Sequence, residues 1–477
     1  MVAIGSIGST WHPGRGPVTT WTASPASRQL MAQASVDPLK PSFQQAQHLR
    51  SAHYARTLDR KVPRLILAAW DVDGWCDIAA MTEAINAHVR RHDTYHSAFD
   101  VFSDDDDTIT IVRRTIDDPA DIEFVPAAMG FMEQDEIREY VQSSTPGTLE
   151  WDCFTFGVIQ KADHFTVYAN IDHLHTDGSS GVLIYRDIHQ AYQALVDEQI
   201  INAPRTAEYR EYTAKQRLQV ETMDRDSRPI KDWIEFAREA DGGWPSFPLP
   251  LGDAGATGAG RAITIELLNG EQTEAFDTAC RAAGARFSGG VMACAAMADH
   301  QFTGAEVFHT FTPSDTRSGD QMHSAGWYAS LFPVTVDVED GDFAMMARSA
   351  QKSFDANKHL SAVPFERAFA VAEAQGEELG QTQSKRPMMV SLFDFRKLAD
   401  ANANRLGMYI DDLNHGGINM WVTRNADNTI VTVSYPDTVE GRHSVHEYLG
   451  ALRAAFLGTA ALTEVWAETD QAFAHSA

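Results

Sequence analysis

Polar and apolar residues alternate most cleanly over residues 164–172. Phe165, Val167, Ala169 and Ile171 fall on one face; Thr166, Tyr168, Asn170 and Asp172 fall on the other. That period of two predicts a strand. Past Gly178 the period becomes helical, with Ile184, Ile188, Tyr192 and Leu195 in one stripe. Residues 173–177 are therefore predicted on a strand-to-helix loop, where functional groups are often displayed. The same patterns predict strands at 64–71, 108–112 and 154–159. A helix opens after Asp77, with Ile78, Met81, Ile85 and Val89 in one apolar stripe. Ser42 with Gln45 three residues on is a capping-box pattern at the start of another.

The second half repeats the mixture. Strands are predicted at 262–267, 307–312, 331–338, 418–423 and 429–435, the last two pairing across 425–428. One helix runs to Gly284 as its C-cap, and a small-residue helix follows at 291–298. The last is predicted to open at Ser444, with Glu447 completing a capping box. Residues 1–35, rich in Gly, Ser, Thr and Pro, read as an irregular lead-in. The Pro- and Gly-rich run at 242–260 reads as a domain connection. The chain thus reads as two layered α/β units.

Composition fits that division. The 477 residues are 44% hydrophobic and 22% charged, and a single core stops growing near about 250–300 residues. The net charge of −27 repels phosphate backbones and argues against nucleic acid as the main partner. An anionic substrate such as coenzyme A would need a local basic patch. The densest acidic run, Asp104 to Asp107, reads as a solvated hairpin tip. Four scattered cysteines without a C-x-x-C pair suggest buried apolar roles in a reducing compartment. No signal-peptide pattern opens the chain, and no apolar stretch approaches the roughly 20 residues that span a bilayer. A soluble, cytoplasmic protein is expected.

Three readings of residues 173–178 compete. His173 could be a turn histidine beside a capping aspartate. His173-x-His175-x-Asp177 could open the site of a metal-dependent hydrolase. Against that, Gly178 stands where such motifs carry another histidine, and no histidine occurs between His189 and His300. The third reading is H-x-x-x-D-G: His173, Asp177 and Gly178.

That pattern resembles the active-site signature of the superfamily of chloramphenicol acetyltransferase, carnitine acyltransferases and peptide-synthetase condensation domains. Other segments resemble the condensation-domain pattern in the same chain order: Ser42 to Gln47, Asn86 to Phe99, Gly284 to Ala296, Asp315-Thr316-Arg317 with Gly326-Trp327 and Phe332-Pro333-Val334, and Val363 to Arg367. Residues 151–154, 247–253 and 285–290 look most like the mycobacterial polyketide-associated acyltransferases, in the branch that acylates trehalose for cell-envelope glycolipids. One departure stands beside the motif: Asp172 occupies a position where the superfamily often has histidine.

The resemblance implies two chloramphenicol-acetyltransferase-like lobes in a V-shaped pseudo-dimer: 1–215, carrying the motif, and 216–477, completing a substrate tunnel. It implies an O-acyltransferase, with amide-forming condensation as the rival chemistry. His173 would be the general base. Asp177 would pair structurally with Arg317, and Gly178 would allow the tight turn and offer an N–H to the oxyanion. His175 and Trp327 would be tunnel candidates. No metal and no bound cofactor are expected. An acyl-CoA or acyl-carrier thioester would be co-substrate, and trehalose or a trehalose ester the acceptor. A monomer is expected at the inner face of the plasma membrane, with a polyketide synthase or lipid-transport machinery as partner.

Overall fold

The computed structural model of the chain describes residues 3–103, 108–240, 245–253, 258–338, 341–376, 379, 387–396, 406–414 and 416–474. The predicted acidic hairpin tip at 104–107 lies outside them. Two compact units emerge. One comprises residues 1–223 with 315–330 and 402–412; the other comprises 224–314, 331–401 and 413–477.

The strands, in chain order, are β1 (Ala3–Ser6), β2 (Gly16–Ala23), β3 (Ser35–Asp37), β4 (Leu65–Asp73), β5 (Ser97–Ser103), β6 (Ile109–Thr115), β7 (Phe124–Met132), β8 (Phe154–Gln160), β9 (His164–Asp172), β10 (Gly260–Asn269), β11 (Val307–Asp315), β12 (Ala329–Asp337), β13 (Met388–Asp394), β14 (Gly407–Ile410), β15 (Ile418–Arg424) and β16 (Asn428–Pro436). The first unit holds a seven-stranded sheet, β1-β14-β4-β9-β8-β2-β7, and a small sheet, β3-β6-β5. β9 runs antiparallel to both neighbours, with Leu65 opposite Asp172 on one side and Phe154 opposite Ile171 on the other. It is buried on both faces. One face contributes Tyr168 to a core with Trp11, Val18, Leu67 and Ile159. On that face Gly157 lies opposite Tyr168, whose ring fills the space a Cβ would need. Helices Ile78–Arg91 and Gly178–Val196 pack against each other, and Tyr185 of the second meets Trp70 of β4 edge-on.

The capping box at Ser42 forms, each partner bonding the other's backbone N–H at 3.2 Å. Asp77 accepts from Ala79 and Ala80 as expected. The expected irregular lead-in is instead regular structure. Residues 1–35 supply β1, β2 and the helix Pro25–Ala32. Their partners are distant: β1 pairs with β14, some 400 residues on, and β2 with β7 and β8. Threonine-rich β2 shows why composition misled, since Thr favours strands as readily as loops.

The second unit holds the sheet β10-β16-β15-β13-β11-β12. β15 and β16 pair antiparallel as predicted. Phe276 of helix Gly270–Ala282 stacks on Phe456 of the C-terminal helix at 4.8 Å. That C-terminal helix begins at Val439, not Ser444. Thr438 accepts the Gly441 N–H as its cap, while the Ser444 hydroxyl donates to Pro250. The run at 242–260 is no connection between units. Its described residues belong to the second unit, where Leu251 and Phe247 are buried. The four cysteines are free, and all but Cys76 are buried.

Candidate active site

β9 ends at Asp172. His173–His175 forms a single 3₁₀ turn, and Asp177 caps the helix Gly178–Val196 by accepting the Ser180 N–H at 2.8 Å. The polar residue that ends the strand and the one that starts the helix thus bracket the histidine.

The His173 backbone N–H donates to the Arg64 carbonyl at 2.6 Å, tying the turn to the chain entering β4. Its ring lies against Trp327, with centroids 3.9 Å apart and planes 34° from parallel. The side chain is partly exposed, but Nδ1 is buried and makes no hydrogen bond among the described residues. Burial, and then the charge of nearby His48, push the imidazole below its ordinary pKa, against the pull of Asp177 and Asp172. The ring is therefore held neutral at physiological pH.

Asp177 and Arg317 form a bidentate pair, both bonds 3.0 Å and both side chains 1% exposed. The other donors to Asp177 besides Ser180 are the Tyr328 and Ala329 N–H groups, each at 2.9 Å. Burial alone would raise the carboxyl, but Arg317 and these donors hold it below the usual range. Arg317 also donates to Ser324, Gly326, Asp315 and the Ser180 hydroxyl, and lies over the Tyr328 ring. Neither charge is left for substrate.

Trp327 enters the site on a loop fixed at both ends. Gly326 sits at φ +149°, and a Cβ there would come within 2.6 Å of the Tyr209 ring. The Tyr209 hydroxyl donates to the Trp327 carbonyl at 2.9 Å. His175 lies elsewhere. It is 1% exposed, bonded through Nδ1 to the Thr94 hydroxyl and walled by Tyr95 and Phe154. Burial pushes it down to about 4. Gly178 departs from the expected tight turn. It opens the helix outside the left-handed region, so the turn does not require glycine for its backbone angles.

The metal reading finds no geometric support. Asp177 is fully engaged by Arg317. Among the described residues the one His/Cys/Asp/Glu trio with donor atoms within 4.8 Å of one another is His88, His92 and Asp187. Even there His92 Nδ1 accepts the Ala325 N–H while Nε2 bonds Asp187 at 2.7 Å. A metal on Nε2 would require a proton on Nδ1, facing another donor.

Sequence reasoning missed the residues around Asp172. This carboxylate, 0% exposed, accepts from His48 at 2.7 Å, Arg64 at 3.2 Å, Thr148 at 2.7 Å and the Leu174 N–H at 3.0 Å. Burial opposes its ionisation, yet His48, Arg64 and the Leu174 N–H hold it well below the usual carboxylate range. The only signal was indirect: a charged residue ending a buried strand must have partners.

The site is thus a histidine held neutral at a strand end, beside a buried Asp–Arg pair. The Condensation domain model covers residues 66–398, and the chain belongs to the condensation-domain family. At 41% identity over 94% of this chain and 96% of that protein, it is similar to the trehalose-2-sulfate acyltransferase PapA2 of Mycobacterium tuberculosis (strain ATCC 25618 / H37Rv). The 2'-acyl-2-O-sulfo-trehalose (hydroxy)phthioceranyltransferase PapA1 of Mycobacterium tuberculosis (strain CDC 1551 / Oshkosh) is 38% identical over 93% of this chain and 86% of that protein. A solved PapA2 acyl transferase superposes with a TM-score of 0.87 at 39% identity, over 96% of this chain and 99% of that one. The first condensation domain of the CDA synthetase shares the fold alone, at 17% identity and a TM-score of 0.63 over 89% of this chain and 97% of that one.

Proposed function

We propose that the chain is an O-acyltransferase. It moves a long-chain acyl group from a thioester, acyl-CoA or carrier-bound, to a hydroxyl of trehalose or a trehalose ester. One observation carries the reading: His173 is a neutral, partly exposed imidazole beside Trp327, in a chain 41% identical to a trehalose-2-sulfate acyltransferase over 94% of its length.

The chemistry follows from that imidazole. With Nδ1 enclosed, Nε2 is the nitrogen that takes the sugar hydroxyl's proton as its oxygen attacks the thioester carbonyl. The C–S bond breaks as the tetrahedral intermediate collapses, and the imidazolium returns the proton to the leaving thiolate. The acyl group passes directly to oxygen, with no acyl-enzyme. The Gly178 N–H, at the positive end of its helix, faces the developing oxyanion. Asp177 and Arg317 hold the turn in place without touching substrate. Trp327 forms one wall of the acceptor pocket.

No helix among the described residues is long and apolar enough to cross a membrane. We place the protein in the cytoplasm, peripheral to the inner membrane face, as a monomer receiving acyl groups made by a polyketide synthase.

Thiol release from palmitoyl-CoA, run with trehalose, trehalose 2-sulfate and a monoacylated trehalose, tests the reading. Mass spectrometry should show an ester on at least one acceptor. His173→Ala should lower turnover by roughly 10²–10⁴-fold, the usual worth of a general base, at an unchanged melting temperature. Equal rates for wild type and His173→Ala would overturn it.

A further inference from the structure

The feature least explained by the motif is Asp172, an acid directly before the histidine. It does not face His173 alone. Helix Phe43–Thr57 brings His48 to it, and the Nε2–Oδ1 distance is 2.7 Å with side-chain exposures of 10% and 0%. The His48 ring meets Trp327 edge-on at 5.6 Å and lies 6.5 Å from the His173 ring. Two imidazoles therefore meet one indole, His173 stacked and His48 edge-on.

We propose that His48 is a positioning residue for His173: anchored on Asp172, it supplies the second imidazole of the site and sets the charge His173 sees. The groups facing His173 can be followed element by element. Asp177, at the helix cap, is neutralised by Arg317. Asp172, at the end of β9, is met by Arg64 from the start of β4 and by His48 from its helix. With Arg64 already on that carboxylate, a proton taken up by His48 would leave the cluster one positive charge in excess. A second charge on His173 is then disfavoured, which keeps its lone pair free. The downward push of His48 on His173 agrees with this geometry. His48 also packs edge-on against Trp327.

The inference rests on the acyl-transfer reading for its kinetics but not for its main test. In full-length protein carrying ¹³C,¹⁵N-histidine, His173 is followed by NMR through a pH titration and assigned by the signal missing in His173→Ala. His48→Gln keeps a hydrogen-bond donor toward Asp172 but removes the charge. His173 should then titrate higher by roughly 0.5 to 2 pH units, the span for a unit charge 6.5 Å away between water-like and protein-surface screening. His48→Lys, which restores a cation, should bring the midpoint back down; either folded variant decides the matter. Equal midpoints in wild type and His48→Gln, or His48→Lys titrating as high as His48→Gln, would overturn the proposal. In kinetics, the acid limb of kcat/KM should move to higher pH in His48→Gln by the same amount. If wild type acylates none of the acceptors, the functional reading fails while the titration still judges His48.

Discussion

At the scale of single residues, several of the site's polar side chains are spent on holding its shape. Asp177 is the clearest of them. Five donors converge on its carboxylate, two of them from Arg317. Removing one partner of such a buried pair strands the other and costs about 3–5 kcal/mol. Asp177→Ala should therefore lower the melting temperature by several degrees as well as lowering turnover. A variant with full thermal stability and a large loss of turnover would make Asp177 a participant in the chemistry instead. His175 shows how residue type alone misleads. It shares the loop with His173, yet a two-residue step turns it into the core between Tyr95 and Phe154. The step from partly exposed to buried imidazole is not written in the sequence of the loop.

At the scale of elements, β9 with its following helix and the loop 316–328 form one device. The strand end fixes His173, the helix cap fixes Asp177, and Arg317 ties the loop to that cap. Ser180 repeats the tie, its hydroxyl donating to the Gly326 carbonyl at 2.8 Å and accepting the Gly326 N–H at 3.1 Å. The loop's weak point is Gly326, whose φ of +149° and closeness to Tyr209 leave no room for a side chain. Gly326→Ala should cost roughly 1–3 kcal/mol in backbone strain and displace Trp327. The expected result is a lower melting temperature together with reduced turnover on every acceptor in the panel. Unchanged turnover at a lowered melting temperature would remove Trp327 from the site.

For the molecule as a whole, buried titratable groups set the pH range of stability. His92 and His175 are pushed by burial to about 4 in the folded protein, against about 6.5 in an unfolded chain. A depressed folded value means the unfolded chain binds more protons between these limits. Their contribution is thus complete above about pH 6.5 and is lost as pH falls toward 4, on the order of 3 kcal/mol for His175. Asp172, Asp177 and Asp187 are also held low; their contribution is present above about 3.9 and is lost below it. Glu366 and Asp299, pushed by burial up to about 7 and about 6, gain stability over the same range and oppose that fall, so the histidine contribution is read as a difference between proteins. His175→Phe should gain melting temperature relative to wild type as pH falls from 6.5 to 4, and a wild-type-to-variant difference that stays constant over that range would contradict the assignment. The sequence by itself determined what local pattern can encode: the strand at 164–172, the stripe of helix Gly178–Val196, the caps at Ser42 and Asp77, and His173 on the loop between. Those features depend on neighbours two to four residues apart. Tertiary structure alone decided the rest. It brought β14 beside β1, carried Arg317 to Asp177 across 140 positions, and set His48 on Asp172 across 124. Each of these is a pairing between buried groups whose partner is chosen by the path of the whole chain, and no local periodicity records that choice.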